Sequence, residues 1–342
     1  MTIHNDEFQS IKSFLKENNF ILSNDLPRKV GNGQSNPTYI LTDNKNKKFI
    51  LRTQPKGDLV RGAHRLDREF NVLRGLSNQK FSVPKPILIC DDKSTIGRDF
   101  YIMEFIDGNI YEDPFLPDNE PKERKKIYES LANTLGQLHS YNINKLDIPF
   151  KKNSGFMIRN LNIWYNQIFH EGYQDKDISK IYNFIIKNTP DNNNLCLIHG
   201  DYKLDNLVIG ANSKCLAVLD WELSAFGEPE VDLSFQMINW LIPKGVLYGI
   251  GLEWESYHIP SAEDFLSSYE KTYGKMVNVE FLNIYCLFSL MKLYCILKGI
   301  ENRIKAGNAA SAEASDKVKG ASGIKNTLML AYQNYPNNMI VS

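Results

Sequence analysis

The chain has 342 residues, 42% hydrophobic and 11% aromatic, enough to build about two domains with a substantial core in each. Its 40 basic and 40 acidic residues cancel, so there is no electrostatic footprint for nucleic acid or a membrane surface, and neither partner is expected. The five cysteines, Cys90, Cys196, Cys215, Cys286 and Cys295, are odd in number, scattered and mostly set in apolar runs. That pattern predicts reduced core thiols in a cytoplasmic protein. Residues Met1 to Glu7 lack a basic segment followed by an apolar one, so no signal peptide is expected.

Along the chain, Glu7 to Asn18 places Phe8, Ile11, Phe14 and Leu15 at helical spacing. Strand-like runs follow at Thr38–Thr42, Lys48–Arg52 and Phe100–Phe105, with a helical segment, Ala63–Leu76, among them. This order predicts a small β-rich lobe with one internal helix, ending at the turn residues Ile106-Asp107-Gly108-Asn109. Residues 1–106 are therefore expected to form a nucleotide-binding lobe and 107–342 a catalytic and substrate-binding helical lobe. Helical patterns dominate the second part, at Pro121–Ser140, Leu161–His170, Ile178–Lys187, Val231–Trp240, Ala262–Tyr273 and Val279–Arg303. Strands around Leu195 to Trp221 interrupt them and predict a short β-hairpin. The most hydrophobic stretch, Phe281 to Ile300, contains Asn283, Lys292 and Lys298, which predicts a buried helix rather than a membrane span. Ala306–Ser322 reads as a loop rich in Ala, Ser and Gly, followed by a last helix near Ile324–Gln333; no internal repeat is present.

The most informative stretch runs from Leu197-Ile198-His199-Gly200-Asp201 through Lys203 and Asn206 to Leu219-Asp220-Trp221-Glu222. Phosphoryl transfer needs positioning and charge neutralisation more than covalent help. Four residues separate Asp201 from Asn206, as in the Asp-x-x-x-x-Asn catalytic loop of kinases, and Asp220 closes the next apolar run. Asp201 is assigned as base or hydroxyl orienter, and Asn206 and Asp220 as Mg²⁺ ligands. Lys203 can neutralise charge on the transferring phosphate. No second histidine lies near His199, and no His-Glu-x-x-His or Cys-x-x-Cys spacing exists, so His199 is expected to orient the loop rather than ligate a metal.

These residues carry a resemblance. The lines Gly33-Gln34-Ser35-Asn36-Pro37-Thr38-Tyr39, Asp67-Arg68-Glu69-Phe70, Tyr101-Ile102-Met103-Glu104-Phe105, His199 through Asn206 and Asp220-Trp221-Glu222-Leu223 resemble the aminoglycoside phosphotransferase superfamily of small-molecule kinases. Within it, they look most like the kinase-like N-terminal domain of acyl-CoA dehydrogenase family members ten and eleven. The resemblance implies an α+β, bilobal protein-kinase-like fold and an ATP- and Mg²⁺-dependent phosphotransferase with an alcohol group as acceptor. No dehydrogenase sequence follows, so a free-standing version of that domain is expected.

For the nucleotide, Gly31, Gly33 and Ser35 sit in a loop whose backbone N–H groups can approach phosphates. Arg52 stands where most kinases carry a strand lysine, with Glu69 as its helix partner; a guanidinium also binds phosphate and carboxylate. Met103 to Ile106 are expected to face adenine, one side chain packing on the base while backbone groups of Glu104 and Phe105 read its edge.

The acceptor is less legible. Tyr111–Asp118, Gly155–Tyr165 and Trp240–Trp254 are candidate lining segments, with Arg159, Trp164, Tyr165, Trp240 and Trp254 as candidate side chains. The resemblance implies a small hydroxylated substrate, a 4-hydroxyacyl-CoA thioester or hydroxy acid first, with an aminoglycoside, choline or sugar as alternatives. A non-catalytic nucleotide-binding protein and a metal-dependent hydrolase built on His199 are the competing classes.

Overall fold

The first helix, α1 (Asn5–Glu17), starts where His4 and Glu7 form a reciprocal cap, the His4 N–H donating to Glu7 Oε2 at 3.1 Å. Strands β1 (Arg28–Val30), β2 (Thr38–Thr42) and β3 (Lys48–Thr53) follow, then α2 (Leu66–Asn78), β4 (Pro86–Cys90) and β5 (Phe100–Glu104). The β2–β3 turn forms because Asp43 Oδ1 accepts the Lys45 and Lys47 N–H groups, each at 2.8 Å, while Asn46 takes a left-handed φ of 63°. The strands pair antiparallel in the order β1-β2-β3-β5-β4. This computed structural model describes residues 3–31, 36–57, 65–170, 174–191, 194–305 and 320–336, and divides into two units. Unit 1 comprises Met1–Asn109, Leu146–Pro149 and Leu216–Ser224; unit 2 comprises Ile110–Lys145, Phe150–Cys215 and Ala225–Ser342.

Register decides what each sheet face does. The row Tyr39–Leu51–Ile102, with Leu41, Phe49 and Phe100, shares one face. Phe8, Ile11 and Leu15 of α1 join these residues in one buried core. The period of two then assigns Ile40, Ile50, Arg52, Tyr101 and Met103 to the opposite face. Phe70 of α2 meets Tyr101 edge-on there at 5.8 Å, so α2 belongs to that second face.

The short segment 216–224 joins unit 1 through a backbone bond from Val218 N–H to Ser82 C=O at 2.8 Å and an edge-on contact of Trp221 with Phe81 at 6.2 Å. Asp220 is thereby fixed in unit 1, far in sequence from the sheet it accompanies.

Unit 2 is mainly helical: α3 (Pro121–Ser140), α4 (Phe156–His170), α5 (Lys176–Asn188), α6 (Glu230–Met237), α7 (Ala262–Tyr273), α8 (Val279–Lys305) and α9 (Ala321–Asn334). Its strands are β6 (Cys196–Ile198), β7 (Leu207–Ile209), the start of β8 (Cys215–Val218) and β9 (Ala225–Gly227), with β6 and β9 antiparallel. By length and composition α8 could cross a bilayer; here most of Leu282–Leu297 is buried, and α8 packs against α4, α5, α6 and α9. α3 and α7 approach so closely at Gly136 that a Cβ there would stand 2.6 Å from the Tyr269 carbonyl oxygen.

The helices expected at Pro121–Ser140 and Ala262–Tyr273 have those limits, and α4 begins earlier than expected, at Phe156. Glu228 explains that earlier start: its buried carboxylate accepts the N–H groups of Gly155, Phe156 and Met157 and so caps α4 from a distant part of the chain. The segment Val231–Trp240 is α6 followed by one 3₁₀ turn, Ile238–Trp240. Strands β1 and β4 escaped the sequence reading because both lie at sheet edges, one polar and three residues long, the other opening on Pro86. Ala63 and His64 of the expected α2, and residues 306–319 of the expected loop, lie outside the described residues.

Candidate active site

In unit 2 the loop after β6 is held by its backbone. Gly200 has φ 86°, a left-handed conformation that favours glycine. The Asp232 carboxylate of α6 accepts the His199 N–H at 2.6 Å and the Gly200 N–H at 2.8 Å. His139 of α3 stands 3.4 Å from the same carboxylate, and its other ring nitrogen bonds the Tyr269 hydroxyl at 2.8 Å. Burial raises the Asp232 carboxyl, but His139, His199 and the backbone bond outweigh it and hold the group below the ordinary range. The Asp201 N–H donates to His199 Nδ1 at 3.3 Å, so His199, fully buried, orients the loop. The Tyr202 hydroxyl donates to the Leu131 carbonyl of α3, while the Tyr202 carbonyl accepts from the Gln236 amide.

A 3₁₀ turn, Leu204–Asn206, brings Asn206 back toward Asp201. The Asn206 amide nitrogen donates to the Asp201 carbonyl at 2.9 Å and to Asp201 Oδ2 at 3.3 Å. Lys203 Nζ lies 3.6 Å from Asp201 Oδ2, 3.1 Å from Asp205 Oδ2 and 3.4 Å from the Tyr248 hydroxyl. Burial opposes its charge, yet Asp201 and Asp205 hold the Lys203 ammonium above its ordinary value. Burial pushes the Asp201 carboxyl up, against the pull of Lys203, His199 and Lys292. A carboxylate with a raised pKa, fixed backbone and adjacent lysine is suited to orient a hydroxyl and accept its proton.

In unit 1, three carboxylates surround one buried guanidinium. Arg52 Nε stands 3.1 Å from Glu69 Oε2, and Nη2 stands 2.7 Å from Asp220 Oδ1 and 3.7 Å from Glu222 Oε2. The Nε–Oε2 contact is an ion pair whose angle does not meet hydrogen-bond geometry, leaving both buried atoms without a hydrogen bond. Burial, with Asp220 and Glu222 close by, pushes the Glu69 carboxyl up to about 7 despite Arg52. Asp220 itself is left-handed, φ 61° and ψ 64°, and begins the 3₁₀ turn Trp221–Leu223. The cluster carries three acidic groups against one cation.

Each candidate metal ligand keeps a hard oxygen within its own unit: in unit 2 hydrogen bonding commits the Asn206 amide nitrogen and leaves its oxygen, and in unit 1 Asp220 has a second carboxylate oxygen beyond the one that faces Arg52. Among the described residues no group of three or more His, Cys, Asp or Glu side chains could hold a metal ion.

The remaining assigned residues divide as follows. Met103 is 7% exposed, and its register neighbour Ile50 and the adjoining Ile40 are each 9% exposed, giving a small apolar surface on the Arg52 face of the sheet. The Glu104 N–H is engaged by the Lys85 carbonyl at 3.0 Å, so a base contact from Glu104 falls to its carbonyl; Phe105 follows directly after β5. Gly31, at φ 74°, has no atom within 4 Å of where a Cβ would sit, while Gly33 and Ser35 lie outside the described residues.

Beside the catalytic loop in unit 2, a cleft is lined by Glu112, Lys203, Phe235, Gln236, Asn239 and Tyr248, among others. The segments Tyr111–Asp118 and Trp240–Trp254 contribute to it; Gly155–Tyr165 does not. Arg159 instead bonds the Ser154 and Asn153 carbonyls, Trp164 bonds Asn160, and Tyr165 stacks on Tyr182 at 3.8 Å. Trp240 is buried against Tyr128 and Phe265. Sequence reasoning missed Asp232, His139, Gln236 and Lys292 because each is a polar residue within a helix whose apolar pattern hides it; polar residues at core-facing positions were the available signal.

Together the two units have the architecture of a kinase-like phosphotransferase, with a five-stranded antiparallel sheet in the smaller and a mainly helical larger one. The chain belongs to the aminoglycoside phosphotransferase (APH) family, whose model, described as a phosphotransferase enzyme family, matches residues 27–258. It is 37% identical over 287 residues to human acyl-CoA dehydrogenase family member 11, a match spanning 82% of this chain and 37% of the human one. Mouse acyl-CoA dehydrogenase family member 10 is 32% identical over 293 residues, 84% of this chain and 27% of its own length. The matched region therefore spans 37% of the human relative's length and 27% of the mouse one's. A solved structure from Ralstonia eutropha, described as a candidate aminoglycoside phosphotransferase, superposes with TM-score 0.82 at 27% identity, covering 95% of this chain and 98% of that one.

Proposed function

We propose that this chain transfers the γ-phosphoryl group of ATP to a hydroxyl of a small metabolite with Mg²⁺ as the divalent cation. The observation that carries this reading is the Asp201 loop, a carboxylate on a fixed backbone with Asn206 and Lys203 beside it. In the reaction the acceptor oxygen bonds the γ-phosphorus as the bond to the β-phosphate breaks, the hydroxyl proton passes to Asp201, and ADP leaves. Lys203 offsets negative charge on the group in transfer. Asn206 and Asp220 are the residues that would hold Mg²⁺, which supplies charge neutralisation at the phosphates when bound. Arg52, anchored by Glu69, is the group for the nucleotide's phosphates, and Met103 packs on the base.

For the acceptor, we favour a 4-hydroxyacyl thioester of coenzyme A or the free hydroxy acid. Its support is similarity to chains named acyl-CoA dehydrogenase family members 11 and 10. Phosphorylation would turn a poor leaving group into a good one for a later elimination. Cys90, Cys196, Cys286 and Cys295 are buried thiols, which supports a reducing, cytoplasmic setting.

The experiment is Mg²⁺-dependent ATP consumption against 4-hydroxyacyl thioesters, hydroxy acids, choline, sugars and aminoglycosides, with Asp201→Ala as control. Transfer to a hydroxyacyl compound that disappears in the variant supports the reading. Transfer only to another class replaces the acceptor, and ATP binding without transfer to any favours the non-catalytic alternative.

A further inference from the structure

α8 carries a lysine amid apolar neighbours that no role described so far requires. Phe288, Met291 and Cys295 around Lys292 are buried. Burial lowers the Lys292 ammonium from its ordinary value, with Asp201 and Asp232 pulling the other way. Among the described residues no carboxylate oxygen lies within ion-pair distance, 4.0 Å, of Nζ. The partners of Nζ are instead the Gly200 carbonyl at 3.3 Å and the face of the Phe235 ring, 5.8 Å from its centroid.

The Gly200 carbonyl and the Asp201 N–H belong to one peptide group. Its N–H is taken by His199 Nδ1 at 3.3 Å and its carbonyl by Lys292. The preceding peptide donates its N–H to Asp232 at 2.8 Å. Asp201 therefore hangs from a backbone gripped by α6 on one peptide and by α8 on the next. A half-buried ammonium with no carboxylate beside it is costly unless it does something a Met or Leu could not. A carbonyl at a left-handed glycine, one residue before the candidate base, is a place where a fixed donor has an effect: peptide rotation there would swing the Asp201 side chain directly.

We propose that Lys292 is a positioning residue for Asp201, clamping the Gly200–Asp201 peptide so that the carboxylate keeps its orientation toward the acceptor hydroxyl. The inference rests on the kinase reading for its catalytic consequence and on geometry alone for its structural one.

The test uses the full chain with Lys292→Met, which keeps the apolar stem, and Lys292→Arg, which restores a charged donor. Hydrogen exchange across residues 197–206 and steady-state kinetics are measured on the same samples. Lys292→Met should keep wild-type thermal stability and a KM for ATP within about threefold, lower kcat about 10- to 100-fold, and speed exchange at the Asp201 amide. Lys292→Arg should recover most of kcat and protection. Unchanged exchange and kcat within about twofold in Lys292→Met would overturn the proposal, as would a loss of kcat that Lys292→Arg does not rescue. Should the Met variant not fold, Lys292→Gln takes its place under the same criteria. If wild-type protein transfers phosphate to no acceptor, the kinase reading fails, whereas the exchange comparison still decides whether Lys292 holds the loop.

Discussion

The Asp201 loop of unit 2 and the Arg52 cluster of unit 1 solve opposite problems. Around Asp201 the backbone polar groups have partners: Asp232 takes two N–H groups, His199 a third, Lys292 and Gln236 two carbonyls. Around Arg52 the side chains are close but incompletely satisfied, with Arg52 Nε and Glu69 Oε2 lacking hydrogen bonds and three carboxylates sharing one guanidinium. The Asp201 carboxylate thus hangs from a backbone fixed by its partners, whereas the Arg52 cluster sets three acidic groups against one cation. Perturbing the first should alter turnover or folding; perturbing the second should alter metal binding and its dependence on pH.

The largest effect is expected for Asp201→Ala, which should lower kcat by about 10³-fold or more with nucleotide affinity nearly unchanged, measured by steady-state kinetics and ADP titration. Retained turnover there would remove Asp201 as base. Next, Asp232→Ala leaves the buried His199 and Gly200 N–H groups without acceptors and should lower stability by about 3 kcal/mol, read from denaturant unfolding. A loss confined to activity would mean that the loop holds itself.

For the Arg52 cluster, Asp220→Asn keeps a residue type that tolerates the left-handed backbone but removes a charge. It should weaken Mg²⁺–nucleotide binding about tenfold by calorimetry while leaving metal-free nucleotide binding nearly unchanged. Glu69 gives a pH signature. Its folded value, near 7, lies above the unfolded one near 4.5, so between those values the folded state holds the extra proton. Stability of the metal-free protein should therefore fall as pH rises across that window, by up to about 3 kcal/mol, and Glu69→Gln should flatten the slope. A stability that climbed with pH in wild type and not in the variant would mean that the Arg52 ion pair dominates. The smallest effect is expected for Tyr248→Phe, which removes a 3.4 Å contact to Lys203 and should change kcat/KM by about threefold at most.

Much of this was legible before folding. The spacing of Asp201, Lys203 and Asn206 places them on one short 3₁₀-containing loop, and the structure puts Lys203 Nζ 3.6 Å and the Asn206 amide nitrogen 3.3 Å from Asp201 Oδ2. Arg52 and Glu69 also meet, 3.1 Å apart, though only the lysine position of other kinases suggested the pair. The acceptor segments were less legible. Arg159, exposed near the start of α4, bonds local carbonyls, and Trp164 in mid-helix bonds Asn160 one turn earlier, so both side chains have local partners.

By itself the sequence determined the order of elements, the polar loop between apolar strands and the chemistry its residues can perform, because periodicity and local spacing act over a few residues. Tertiary structure alone decided which distant side chains hold that loop. Asp232, His139 and Lys292 come from three helices, the first two residues 93 apart in sequence, and local spacing does not say that they meet at this loop. Burial is the physical reason: a carboxylate, an imidazole and an ammonium become determinants of backbone geometry only where folding removes water and leaves the loop's peptide groups as their partners.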